Sequence, residues 1–186
     1  MRIVAGIARG RRLSVPEGSA TRPTSDRARE AMFSTLESMR GPLHGARVLD
    51  LYAGTGAVGL EALSRGAAHV VLVEDDATTL EVLRDNVRAV GLAGAAVRGE
   101  PVERVLAESP DAPYDVVFAD PPYTDTVDGV LEAALRWLAP SAVVVVERSS
   151  SDAPLVWPDG VVAVKDRRYG AATLWYGRAP AEPEAR

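Results

Sequence analysis

The sequence predicts an α/β fold: an open, mostly parallel sheet with helices on both faces, finished at one edge by an antiparallel hairpin. From Arg47 to Glu147, short valine- and leucine-rich runs alternate with segments at helical spacing, the pattern of repeated strand–helix units. The last two apolar runs, 161–165 and 171–176, are separated only by Asp166 to Gly170. That is too short for a helical crossover, so they must pair antiparallel. Two strand ends carry unusual loops, glycines after the first and Asp120-Pro121-Pro122-Tyr123 after the fourth.

Composition narrows the function classes. A chain of 186 residues suffices for one domain with its own core. It has no cysteine, which excludes disulfides, thiolate nucleophiles and cysteine-held metals. Its two histidines, His44 and His69, are too few for a zinc cluster, so no metal is expected. The apolar runs fall far short of the ~20 residues a membrane span needs. No apolar stretch follows Met1-Arg2-Ile3-Val4, so no signal peptide, no membrane association and a cytoplasmic location are expected.

The net charge of −5 hides an asymmetry. Residues 1–29 carry seven arginines against Glu17 and Asp26, a local net of +5 that leaves −10 for the remainder. A basic segment on an acidic body suggests a localised phosphate-contacting patch; the alternative is a solvated arm.

The elements follow in order. Arg2 to Pro16 alternates around glycines and reads as a small hairpin turning near Ala8 to Gly10. Its few apolar residues, Ile3, Ala5, Ile7, Leu13 and Val15, require it to lean on the body. Residues 1–23 are thus expected to form a basic extension, 24–178 the main domain and 179–186 a frayed tail. Thr24 or Ser25 caps a first helix, with Ala28, Ala31, Met32, Thr35, Leu36 and Met39 on its buried face and Gly41-Pro42 at its end. Strands are expected at 48–52, 70–74, 95–98, 114–119 and 142–147, and helices at 58–65, 78–90, about 102–108 and 127–138.

Gly54-Thr55-Gly56-Ala57-Val58-Gly59 matches GxGxxG, and Glu74 follows Gly54 by 20 residues at the end of the next strand. Such glycines permit a tight turn and close approach to an adenosine ligand, and Glu74 can accept both ribose hydroxyls. Asp50 discriminates among ligands. A carboxylate just before the loop repels a pyrophosphate but suits a cationic ammonium, as in the methionine part of S-adenosylmethionine. The structural alternative is that Asp50 accepts backbone amides of the loop. Glu100, at the third strand's end, is a candidate acceptor for an adenine amine.

Asp120-Pro121-Pro122-Tyr123 forms a receptor for a flat base with an exocyclic amine. The amine's lone pair delocalises into its ring, so the nitrogen needs acceptors that fix its N–H groups and a methyl donor in line. Asp120 offers a carboxylate, Pro121 a carbonyl in a rigid turn, Pro122 a second rigid link and Tyr123 a stacking face. An ordinary Pro-Pro turn is the alternative.

These stretches resemble the bacterial 16S ribosomal RNA guanine-N2 methyltransferases of the RsmD type. The resemblance rests on residues 1–6 and 9–11, 21–24 and 26–33, 48–56, 59–67, 120–123 and Tyr169-Gly170, and covers the chain to about Tyr176. It implies a Rossmann-like methyltransferase fold with a seven-stranded mixed sheet whose last strand is antiparallel. It implies S-adenosylmethionine as methyl donor and N2 of one guanine in 16S rRNA as acceptor, in the 30S subunit or an assembly intermediate; a monomer is expected. The implied cofactor residues are Thr24, Asp50, Tyr52, Ala53, Gly54, Gly56, Glu74, Asp75 and Glu100, with Thr24 closing over the methionine end. The implied RNA contacts are Arg2, Arg9, Arg11, Arg12 and Arg22. The rival readings are a DNA amino-methyltransferase sharing the Asp-Pro-Pro-Tyr loop, a nicotinamide-dependent oxidoreductase sharing GxGxxG, and a non-catalytic RNA-binding relative.

Overall fold

The computed structural model describes residues 1–16, 25–122 and 127–181. Strands β1 Arg47–Leu51, β2 His69–Val73, β3 Ala95–Arg98, β4 Tyr114–Ala119, β5 Leu138–Ser149, β6 Val162–Tyr169 and β7 Ala172–Arg178 form one sheet in spatial order β3-β2-β1-β4-β5-β7-β6. Neighbours from β3 to β5 are parallel, while β7 runs antiparallel to both β5 and β6. The order reverses at β1, which lies between β2 and β4, and ligands of open α/β sheets bind outside the strand ends at such a switch point.

Strand periodicity splits the core in two. Val48, Val70, Leu72, Val116, Phe118, Val143 and Val145 pack on one face, with Met32, Phe33 and Leu36 of α1 (Asp26–Arg40), Leu60 and Leu63 of α2 (Ala57–Ser64) and Leu83 and Val90 of α3 (Ala77–Val90). The intervening Leu49, Leu51, Val71, Val73, Val117, Val144 and Val146 pack on the other, against α4 (Val102–Ala107) and α5 (Val127–Ala134). Strands buried on both faces read as continuous apolar runs for this reason.

Ser25 is the N-cap of α1: its hydroxyl accepts the Ala28 N–H at 3.2 Å. The fifth predicted helix, α5, is shorter than expected. It ends at Ala134, a 3₁₀ turn spans Leu135–Trp137, and β5 already begins at Leu138. Pro140 cannot extend a helix, and Trp137 is drawn into the second core, its ring 5.8 Å from that of Tyr114.

The amino-terminal arm keeps a hairpin's course, with a single isolated bridge between Arg2 and Arg12. A longer ladder does not form because α2 takes its donors. The Val4 and Ala5 N–H groups donate to the Glu61 carboxylate at 2.7 and 2.9 Å. The Ile7 N–H donates to the Ser64 carbonyl and the Ala8 N–H to the Ser64 hydroxyl. Gly6 makes this approach possible: a Cβ there would lie 1.8 Å from the Ser64 carbonyl oxygen. Ile3 and Leu13 are buried in the first core, contributing about 1.5–3 kcal/mol each. At the other end, Ala179 and Pro180 still bond to the backbone of Ala142 and Ser141.

Candidate active site

The sheet register gathers the predicted acids on one edge. Leu51 pairs with Val73 and with Ala119, and Ala119 pairs with Val146. Tyr52, Glu74 and Asp120 therefore stand side by side just past the ends of β1, β2 and β4, and Glu147 lies beside Asp120 within β5. Asp50 pairs with Phe118, so Asp120 is one strand over and two residues on, roughly 8 Å from Asp50 by strand geometry. Asp50, Glu74, Asp120 and Glu147 share the parity of Leu72, Phe118 and Val145, which puts them on the face of the first core.

Asp50 is buried, 4% exposed, and its Oδ2 accepts the Gly59 N–H at 2.8 Å. This realises the structural alternative for Asp50 without displacing the ligand reading, since its second oxygen takes no part in that bond. Gly59 lets α2 approach β1: a Cβ there would sit 2.6 Å from Leu72 and 3.1 Å from Asp50 Oδ2. Glu74 receives the Gly54 N–H on Oε2 at 2.8 Å and the Asp76 N–H on Oε1 at 2.9 Å. The Gly56 N–H donates to Ala53, and the Ala53 N–H to Val73, closing the loop onto β2. Tyr52 holds φ +60°, a left-handed conformation costing a bulky residue about 1–2 kcal/mol. Strain of this kind concentrates at functional turns.

Two carboxyl groups are displaced from their usual range. Burial pushes Asp50 up to about 7; the Gly59 hydrogen bond opposes this, and the charges of Asp120 and Glu74 add to it. Asp120 opens to solvent on one side. Its carboxyl is nevertheless raised to about 7, by desolvation and then by the Glu147 charge. Acids whose ionisation is disfavoured by burial and by neighbouring carboxylates suit a ligand bearing positive charge.

The other predicted residues divide. Glu100 is engaged by Arg98 at 2.7 Å and Arg104 at 3.3 Å, and Asp75 is exposed. Thr24, Arg22 and Tyr123 lie outside the described residues, while Pro121 is half-buried and Pro122 exposed. Among the arm arginines, Arg9 and Arg12 are exposed, Arg2 pairs with Asp26 at 3.0 Å, and Arg11 donates to the Ala89 and Val90 carbonyls at the end of α3. Arg29, counted in the basic segment, is 1% exposed and faces Glu61 at 3.6 Å. Sequence reasoning missed the parts of Glu61, Asn86 and Glu147. Each left a signal: a polar residue interrupting an apolar helix face or strand.

The conserved-protein family described as Conserved hypothetical protein 95 matches residues 1–178. The chain belongs to this family. It is 38% identical over 153 residues to Ribosomal RNA small subunit methyltransferase D of Escherichia coli K12, covering 79% of this chain and 74% of that protein. The protein of that name from Haemophilus influenzae is 34% identical over 176 residues, 91% of this chain and 89% of that one. The solved structure of yhhF from Escherichia coli superposes with a TM-score of 0.86 at 32% identity, covering 98% of this chain and 99% of that one. The family's members are methyltransferases, and this chain is one of them. The match begins at residue 1, so the arm belongs to the family pattern together with the sheet.

Proposed function

We propose that the chain transfers a methyl group from S-adenosylmethionine to the exocyclic N2 of a guanine in 16S rRNA, in the 30S subunit or an assembly intermediate. One observation carries the reading: the β4 end with Asp120 stands beside the β1 end with Asp50 and the glycine loop, roughly 8 Å apart. That spacing is short enough for a methyl held beside β1 to reach an amine held beside β4. Family membership and the relatives' names support the substrate class.

The residues fit the donor. Asp50 and Glu74 are acids where an ammonium and a ribose are expected, and the glycine turn allows close backbone approach. The donor would supply an electrophilic methyl carbon, its bond to sulfur breaking as the bond to nitrogen forms. The chain's own residues orient the acceptor. Asp120 and the Pro121 carbonyl accept the amine's N–H groups, holding its lone pair toward the methyl. Tyr123 stacks an unstacked base, repaying the few kcal/mol of flipping. The nitrogen becomes positive on transfer, so its proton leaves afterwards, and a carboxylate with a pKa near 7 is suited to take it. Arg9 and Arg12, with Arg2, Arg11 and Arg22, engage phosphates.

The test offers purified chain and tritiated methyl donor to 30S subunits, naked 16S rRNA and duplex DNA, followed by nucleoside digestion. N2-methylguanosine from ribosomal RNA supports the reading. Methyladenine or methylcytosine from DNA, with ribosomal RNA unlabelled, favours the DNA amino-methyltransferase and rejects it.

A further inference from the structure

The arm and the glycine loop are joined through one side chain. Asn86 lies on the apolar face of α3 between Leu83 and Val90 and is 2% exposed. Its Oδ1 accepts the Ser14 N–H at 2.8 Å, and its Nδ2 donates to the Ser14 carbonyl at 3.1 Å. The carboxamide thus pairs with the arm as a neighbouring strand would. The same Nδ2 donates to the Thr55 carbonyl at 2.9 Å, in the middle of Gly54-Thr55-Gly56. The peptide joining Thr55 to Gly56 is therefore held from both sides, its carbonyl by Asn86 and its N–H by the Ala53 carbonyl. Met1 also reaches this loop, its sulfur 4.0 Å from the Thr55 hydroxyl. Elsewhere the arm is fastened to the helices that follow the two cofactor-side strands, to α2 through Glu61 and Ser64 and to α3 through Arg11.

A buried asparagine that only filled hydrogen-bond needs could take them from one segment. This one divides its bonds between two segments separated by some forty residues and, among the described residues, shares none with a third. Only a carboxamide offers the acceptor and the two donors in one plane; aspartate keeps the shape and loses both donors.

We propose that Asn86 is a positioning residue for the cofactor loop: through it the docked arm sets the plane of the Thr55–Gly56 peptide, and with it the loop's readiness for the methyl donor. A consequence rests on the RNA reading of the arm given above. A substrate that grips the arm alters donor affinity, and the donor alters substrate affinity by the same factor, because linkage is reciprocal.

Asn86→Asp tests this in calorimetry with S-adenosylhomocysteine and no nucleic acid. The dissociation constant should rise at least fivefold. The KM for donor should rise with it, while kcat at saturating donor stays within twofold. A folded variant, by circular dichroism and cooperative melting, that binds as tightly as the parent overturns the proposal, because a merely structural role lowers the melting temperature alone. Should Asn86→Asp fail to fold, Ser14→Pro removes the arm's N–H at an exposed residue, together with the hydroxyl and the freedom of φ. Its dissociation constant should rise at least twofold, and an unchanged value overturns the proposal equally. Either failure leaves the methyl-transfer reading standing, since that falls only if the parent chain itself does not bind S-adenosylhomocysteine.

Discussion

Asp50 carries a charge problem that the proposed ligand solves. Its pKa of about 7 in the free protein exceeds its unfolded value near 3.8. Between those values the folded state holds a proton that the unfolded chain has released. The associated stability is present at acid pH and is lost as pH rises through 7. An ammonium beside Asp50 favours the ionised form, so donor binding expels a proton. Affinity for S-adenosylhomocysteine should therefore climb as pH rises from 6 to 8, by up to about tenfold per pH unit below the pKa. Calorimetry across that range checks this, and Asn in place of Asp50 should flatten the slope. Glu147 acts one strand away. Its charge is the second cause of the raised Asp120 pKa, so Glu147→Gln should move the acid limb of the pH–rate profile to lower pH by a fraction of a unit. A limb that does not move separates Glu147 from the site.

Among the elements, the arm is the least legible in sequence. The basic segment of residues 1–29 suggested a localised phosphate-contacting patch, but burial sets Arg29, in α1, apart from the exposed arginines of the arm. Arg29 is part of a buried ion cluster with Glu61, whose carboxylate also receives Arg65 at 3.0 Å and two arm amides. Removing one partner of such a cluster strands the other. Glu61→Ala should cost about 3–5 kcal/mol in denaturant unfolding, a loss near 1 kcal/mol being the mark of a peripheral pair. Arg9 and Arg12 are exposed and free to meet phosphate. Each Ala variant should reduce the salt slope of RNA binding by about one and leave stability nearly unchanged. A slope that stays fixed in both makes the arm a solvated strap.

Across the whole molecule, what the sequence revealed and what it concealed have separate physical origins. Strand runs and turn residues are local, so β3 and β4 match their predicted bounds, and the short 166–170 connection already required the antiparallel β6–β7 pair. Acids at strand ends were visible because a parallel sheet aligns its strand ends. Pairings over long separations had no local signature. Neither Glu61 under the arm nor Asn86 bridging Ser14 and Thr55 could be paired from spacing alone. The break in the fifth predicted helix was hidden because Leu135, Trp137 and Leu138 continue its apolar pattern while belonging to the second core. Family membership then joins the arm, the glycine loop and the Asp120 loop in a single unit over residues 1–178.

In the proposed reaction β1 and β4 present two separate, adjacent sites, one for the donor and one for the amine. Asp120→Ala reads this separation most directly when S-adenosylhomocysteine calorimetry and tritium-methyl transfer to 30S subunits are run on the same preparation. Donor affinity should stay within about threefold of the parent while turnover falls at least a hundredfold, or roughly 2.7 kcal/mol of barrier. Equal loss of binding and turnover, or turnover that survives, would contradict it.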